Sequence, residues 1–124
     1  MAGNSKNFLP VIQIITAGDM SADITGPATN ISYLDNVAIQ LNFTGTPTGT
    51  FSIQGSLDHK EYNGQIVNAG NFIPLSLATT PAASGAAGQI LLDLNQLSFP
   101  YIRIVYTRTS GTGSLDAYVS AKAV

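Results

Sequence analysis

Two runs in residues 36–58 alternate apolar with polar side chains at period two. In the first, Ile39, Leu41 and Phe43 fall on one side while Gln40 and Asn42 fall on the other. In the second, Phe51, Ile53, Gly55 and Leu57 oppose Ser52, Gln54 and Ser56. Such alternation predicts strands with one buried and one wet face. Thr44-Gly45-Thr46-Pro47-Thr48-Gly49 separates the runs without a two-residue Asn-Gly signal. The expectation is therefore a β-hairpin closed by a loop of about four to six residues. Pro47 has no N–H for a ladder and belongs at the tip. The predicted inward set is Ile39, Leu41, Phe43, Phe51, Ile53 and Leu57.

The rest of the chain reads as further strands. Residues 1–7 are polar and predict a flexible arm. Leu9 to Thr16 predicts a strand with Val11, Gln13 and Ile15 on one face and Ile12 and Ile14 on the other. Apolar residues on both faces suggest cover from both sides, as a second subunit would give. Ala17-Gly18-Asp19 turns the chain, a short strand follows near Ser21–Ile24, and Gly26-Pro27 breaks it. Ala28 to Leu34 is weakly extended and carries Ile31 and Tyr33. Asn63-Gly64 signals a turn. Asn71 to Leu77 predicts a strand placed at a sheet edge by Pro74. Residues 78–88, rich in Ala, Gly, Thr and Ser, read as a surface loop.

Gln89 to Leu94 predicts a strand with Ile90, Leu92 and Leu94 inward, followed by a crossing plugged by Leu97 and Phe99. Tyr101 to Thr109 sets Ile102, Ile104 and Tyr106 against Arg103, Val105 and Thr107. After Ser110-Gly111-Thr112-Gly113, Ser114 to Ala123 turns Leu115, Ala117, Val119 and Ala121 inward, and these last two strands predict a second hairpin. Seven or eight short strands without a convincing helix predict an all-β fold. The expected architecture is an antiparallel β-sandwich, jelly-roll-like or immunoglobulin-like, formed by residues 8–124 as one domain.

Composition narrows the partners. Charged residues make up 10% of the chain, against about 25% in ordinary globular domains. A surface of hydroxyls and amides repels its own copies weakly; it suits either a neutral soluble domain or a member of a crowded assembly. The net charge of −2 offers no field for nucleic acid or an anionic membrane, so neither is an expected partner. No run approaches the roughly 20 apolar residues of a spanning helix. The first residues have neither signal-peptide nor transit-peptide character, which predicts a protein that stays in the cytosol where it is made. With no cysteine, disulfides and thiolate metal sites are excluded.

No pattern of residues assembles a catalytic site. His59, the single histidine, sits with Asp58 and Glu61 in the one charge-dense stretch and reads as part of a solvated turn. A general base needs a cleft and a reacting group beside it. Asp19, Asp23, Asp35, Asp58, Asp93 and Asp116 lack calcium-loop spacing. Nucleophile-elbow and phosphate-loop motifs are missing, and Arg103 with Arg108 makes no nucleic-acid patch. Tyr62, Tyr101, Tyr106 and Tyr118 could stack on sugar, although packing in a core or interface is the commoner use. The expectation is a protein that is not an enzyme, with no catalytic residue, no metal and no cofactor.

One family likeness enters on particular residues. Val37 to Asp58 resembles the hairpin of small virion proteins of tailed bacteriophages, where a strand ends in Thr-Gly and the next reads Phe-x-Ile-Gln-Gly-Ser-x-Asp. Phe99-Pro100-Tyr101-Ile102-Arg103-Ile104-Val105-Tyr106-Thr107, with Ser110 to Val119 after it, is similar to their closing hairpin. The likeness covers residues 33–122. It departs at Asp58-His59-Lys60-Glu61-Tyr62, where those proteins carry Gly and an aromatic-rich stretch, so no binding residue is carried over. The resemblance implies a structural role: a capsid decoration (cement or auxiliary head) protein that binds the major capsid protein, or a head–tail or tail component. Other virion proteins and further copies of the chain are the implied partners, and the virion, assembled in the host cytoplasm, the implied location. Pieces of the pattern also recur in sugar-binding sandwiches, so the alternative is a carbohydrate-binding or host-attachment module.

Overall fold

The computed structural model describes residues 8–123; the arm expected over residues 1–7 lies outside them. In chain order the strands are β1 (Phe8–Asp19), β2 (Ile24–Thr25), β3 (Thr29–Asn30), β4 (Asn36–Gly45), β5 (Thr48–Ser56) and β6 (Lys60–Tyr62). There follow β7 (Gln65–Asn68), β8 (Ile73–Pro74), β9 (Ala82–Ser84), β10 (Gly88–Leu94), β11 (Tyr101–Ser110) and β12 (Gly113–Lys122). One sheet runs β1-β12-β4-β10, and a second runs β2-β11-β5-β8, with β3 also on β11 and β9 also on β5. All pairings are antiparallel.

Setting aside the β6–β7 ribbon and treating β2 with β3 as one interrupted strand, and β8 with β9 as another, leaves eight strands ordered 1-8-3-6 and 2-7-4-5. That is the order of a jelly roll: four antiparallel pairs wrapped into two facing sheets. The all-β sandwich expected from the alternation is the fold, and of the two architectures left open the jelly roll is the one formed.

The strands at the centre of the pattern do not pair with each other. β4 belongs to the first sheet and β5 to the second. The connection is therefore an arch between sheets, only Thr46 and Pro47 long, where a hairpin with a four- to six-residue loop was expected. β11 and β12 repeat the arrangement through Gly111 and Thr112, so the second expected hairpin is an arch as well. An arch and a hairpin bury the same alternate residues, which is why the inward assignments survive the change of partner. Gln40 and Asn42 consequently face outward from one sheet, and Ser52 and Gln54 from the other.

The two arches lie side by side. The Thr46 N–H donates to the Thr112 carbonyl at 2.8 Å, Gly45 pairs with Gly113 and Thr48 with Ser110. Their approach leaves no room for side chains: a Cβ on Gly111 would stand 2.0 Å from the Thr46 carbonyl oxygen. Pro47 lies at the tip as expected, but buried.

β1 departs from simple alternation. Its 12 residues face nine positions of β12, Ser114 to Lys122, and three register shifts absorb the surplus. Each bulge re-aims the residues beside it. Ile14 and Ile15, expected on opposite faces, both pack on the core, while Val11 points into solvent. The bulges thus bring Ile14 and Ile15 to the same side, while Val11 and Ile12 stay exposed. Pro10 falls at the first bulge, where a missing N–H costs nothing. Asp116 Oδ1 accepts the Ala17 N–H at 2.9 Å, satisfying a backbone donor that the last bulge frees.

The core is the set that the alternation selects. Ile39, Leu41, Phe43, Phe51 and Ile53 are buried, as are Ile102, Ile104, Tyr106, Leu115, Ala117, Val119 and Ala121. Each of the Leu, Ile, Val and Phe side chains among them contributes about 1.5–3 kcal/mol on burial. Leu57 is the exception within the predicted inward set: it is 74% exposed. β5 ends at Ser56, the chain turns, and His59 takes the inward place instead.

The tight hairpin of this chain lies at Asn63-Gly64. Both residues have positive φ, 52° and 77°, the requirement of a two-residue type I′ turn. It joins β6 to β7, a two-stranded ribbon separate from both sheets. The loop expected over residues 78–88 holds the short strand β9, whose Ala83 is buried against β5. Pro74 sits at a sheet edge, as expected.

Candidate interaction surface

The jelly roll has two unlike ends. Two-residue arches close one end, and the Gly85 N–H ties the segment before β10 to the Pro47 carbonyl at 2.7 Å. At the other end lie the longer connections: residues 31–35, 57–72 and 95–100. Long connections carry the side chains that a sandwich can present to a partner.

His59 organises this open end. Its ring is buried, with 4% exposure, so the expected solvated turn is not what forms. Nδ1 lies 2.8 Å from the Ala69 carbonyl and Nε2 lies 2.8 Å from Glu61 Oε2. The ring meets Tyr101 edge-on at 4.8 Å and Phe72 at 5.1 Å. Arg103 lies 4.2 Å above the other aromatic, Phe72, and donates from Nε to Gln54. Both ring nitrogens face acceptors, so the doubly protonated imidazolium satisfies both bonds. The bonds to Glu61 and then Ala69 raise its pKa, against the opposing effect of burial. In effect, His59 clamps the base of the β6–β7 ribbon to the second sheet.

Asp58 holds the other side of the same loop. Its carboxylate accepts from the Asn71 N–H at 2.8 Å, from Asn71 Nδ2 at 2.9 Å and from Ser56 Oγ at 2.9 Å. These bonds lower its pKa, the backbone bond from Asn71 most. Of the three charge-dense neighbours, His59 and Glu61 meet while Asp58 bonds elsewhere: Asp58 fastens residue 71, and His59, held by Glu61, fastens residue 69.

Around this clamp the surface is apolar and grooved. One groove of about 490 Å³ is lined by Gly55, Leu57, Asn71, Ile73, Leu75 and Phe99. Another of about 580 Å³ runs past Ile31, Tyr33, Leu34, Leu97 and Phe99. Phe99 borders both, and its ring occupies the space where a side chain at Gly55 would begin, 2.6 Å from that Cβ position. Leu57, Ile73 and Tyr33 are exposed along these grooves, and Tyr62, Ile66 and Val67 are exposed on the ribbon.

No protein-family model matches the chain, and no curated protein sequence matches it. Among solved structures it is similar to a chain in the structure of the infectious bursal disease virus Gx strain. That match has a TM-score of 0.54 and 15% identity, and covers 97% of this chain and 32% of the other. The likeness is one of fold. This chain thus spans about a third of that neighbour. A subunit of disulfide-linked Bacillus endospore appendages aligns over 100% of this chain and 96% of its own, at 19% identity and a TM-score of 0.37.

The remaining candidates are dispersed. Tyr101 and Tyr106 are buried, Tyr118 is half-buried on the outer face of the first sheet, and Tyr62 is on the ribbon. The four tyrosines therefore form no shared stacking surface. Asp19 accepts from the Ser21 N–H and hydroxyl, Asp23 from the Arg108 N–H and Asp116 from Ala17 and Gln13. They fasten turns and a bulge at separate places, and no group of three potential metal ligands occurs among the described residues. Arg103 lies against Phe72, whereas Arg108 Nε donates to the Gly111 carbonyl at the arched end, so the two do not make a common patch. The apolar open end was not legible in advance. Its exposed residues come from five separate segments, and of them only Leu57 and Ile73 stood in runs read as strands.

Proposed function

We propose that this protein is a non-enzymatic virion structural protein of a tailed bacteriophage, a capsid decoration protein that binds the major capsid protein through its open end. The observation that carries the reading is the pair of grooves there that share Phe99, with Tyr33, Leu57 and Ile73 exposed on their walls, on a chain with 10% charged residues. Apolar side chains left exposed along a groove mark a place that another molecule covers. The resemblance of residues 33–122 to small phage virion proteins and the jelly-roll topology, shared by viral capsid and lectin domains, support the same reading. The protein acts by burial and shape, in the assembled particle, without a cofactor.

Co-sedimentation of the purified protein with tailed-phage heads, and separately with tails, tests it. Saturable binding to heads is expected, weakened by Leu57→Ser with Ile73→Ser. Binding to tails alone would move the protein to the tail, and binding to neither would remove the structural role.

A further inference from the structure

The sheet edges of this molecule are protected unequally. β1 carries three bulges and Pro10. On the second sheet the edge segments β2, β3, β8 and β9 are two or three residues long, and β8 includes Pro74. Bulges, proline and short length are the devices that stop an edge from pairing. β10 has none of them. Its seven residues, Gly88 to Leu94, pair with β4 without a register shift, and its other edge has no strand beside it among the described residues. The core is also open along this edge. Ile90, Leu92 and Leu94 point inward yet stay partly exposed, whereas their partners on β4, Leu41, Ile39 and Val37, are fully buried. Leu91, at the midpoint of the strand, is 72% exposed.

We infer that β10 pairs antiparallel with β10 of a second copy, about a two-fold axis at Leu91, and continues the first sheet across a dimer. The strand's own sequence selects this occupant and register. With Leu91 opposite Leu91, Ile90 meets Leu92, and Gln89 meets Asp93 on the outer face. The amide of Gln89 then donates to the carboxylate of Asp93 on the neighbour, twice by symmetry. Shifting the register by two residues toward the C-terminal end sets Asp93 against Leu91; shifting it by four sets Asp93 against Asp93, with like charges opposed. An odd shift turns the second copy's core face to solvent. The self-complementary patch is what a two-fold interface requires.

Sedimentation equilibrium and single-cysteine cross-linking test this, helped by a chain that has no cysteine of its own. The full chain is expected to sediment at twice its monomer mass at high concentration, and Leu91→Lys to sediment as a monomer. Under mild oxidation Leu91→Cys is expected to form a disulfide dimer, because directly opposed Cβ atoms lie about 4.5–5.5 Å apart. Gln89→Cys and Asp93→Cys alone place their two sulfur-bearing positions about 13 Å apart, four residues along the strand, and are expected to stay uncross-linked. Combining both changes restores the link. A monomer at every concentration overturns the proposal, as does cross-linking of Gln89→Cys as fast as Leu91→Cys. The result is independent of capsid binding, so either reading can fail without the other.

Discussion

Phe43 and Phe51 stand with ring centroids 5.6 Å apart, although one belongs to the first sheet and the other to the second. Eight residues apart in sequence, they face each other across the core because the chain between them arches over its end. Tyr106 continues the stack, 5.1 Å from Phe51. The arch works only because a second arch lies beside it, joined by the bond from Thr46 to Thr112.

Glycine at the second arch is therefore expected to be irreplaceable. Gly111 combines a φ of +80° with a Cβ position 2.0 Å from the Thr46 carbonyl oxygen. Gly64 has almost the same φ, +77°, and nothing within 4 Å. Gly64→Ala should cost about 1 kcal/mol, the left-handed strain alone. Gly111→Ala adds backbone displacement and should cost about 3 kcal/mol or more. Urea denaturation of both variants checks the difference, and equal losses would refute the account of the arches.

Tyr106 offers a change in the opposite direction. The residue is fully buried, and its hydroxyl has no hydrogen-bond partner among the described residues. A buried polar group without a partner carries its whole desolvation cost. Tyr106→Phe keeps the ring against Phe51 and should raise stability by about 1 kcal/mol. A loss on thermal or urea unfolding would show that the hydroxyl is satisfied in solution.

The core aromatics also mark how much of the fold is legible in the sequence. Period-two alternation identified Tyr106, Phe43 and Phe51 as inward, since inward and outward positions follow from the pleat alone. Which sheet each strand joins is a long-range matter, and alternation is silent on it. Only the connection held a hint: Asn63-Gly64 has the dipeptide of a two-residue hairpin, whereas Thr46-Pro47 does not. The bulges of β1 escaped because an inserted residue leaves no local signature in a run such as Val-Ile-Gln-Ile-Ile. His59 escaped for a similar reason. Its burial depends on Ala69, Phe72 and Tyr101, up to 42 positions away by residue number, while its neighbours in sequence are charged.

Leu57 and Leu41 separate fold from surface. Both lie in the alternating runs, but Leu41 is fully buried and Leu57 is 74% exposed. Leu41→Ala should cost about 2–5 kcal/mol through the cavity it leaves. Leu57→Ser should change stability by no more than about 0.5 kcal/mol. Parallel denaturation curves decide the matter; a large loss at Leu57 would place that side chain in the core after all.

The clamp at His59 predicts a pH dependence whose sign follows from its bonds. Glu61 and the Ala69 carbonyl favour the protonated ring, Arg103 disfavours it, and the net effect raises the pKa above 6.5. Asp58, next in sequence, is engaged with Ser56 and Asn71, and the rings of Phe72 and Tyr101 pack against the imidazole. A group whose folded pKa is raised stabilises the fold fully below its unfolded pKa and loses that contribution as pH rises through the folded value. Stability is therefore expected to fall as pH rises above 6.5 through the raised folded value, as the neutral ring can donate to only one of its two acceptors, Glu61 or the Ala69 carbonyl. Glu61→Gln removes the largest cause and should move the imidazole titration, followed by NMR, back toward 6.5 while flattening the stability profile. An imidazole that titrates at or below 6.5 in the unmodified protein would contradict the clamp, because a ring held between a carboxylate and a carbonyl must give up its proton less readily than a free one.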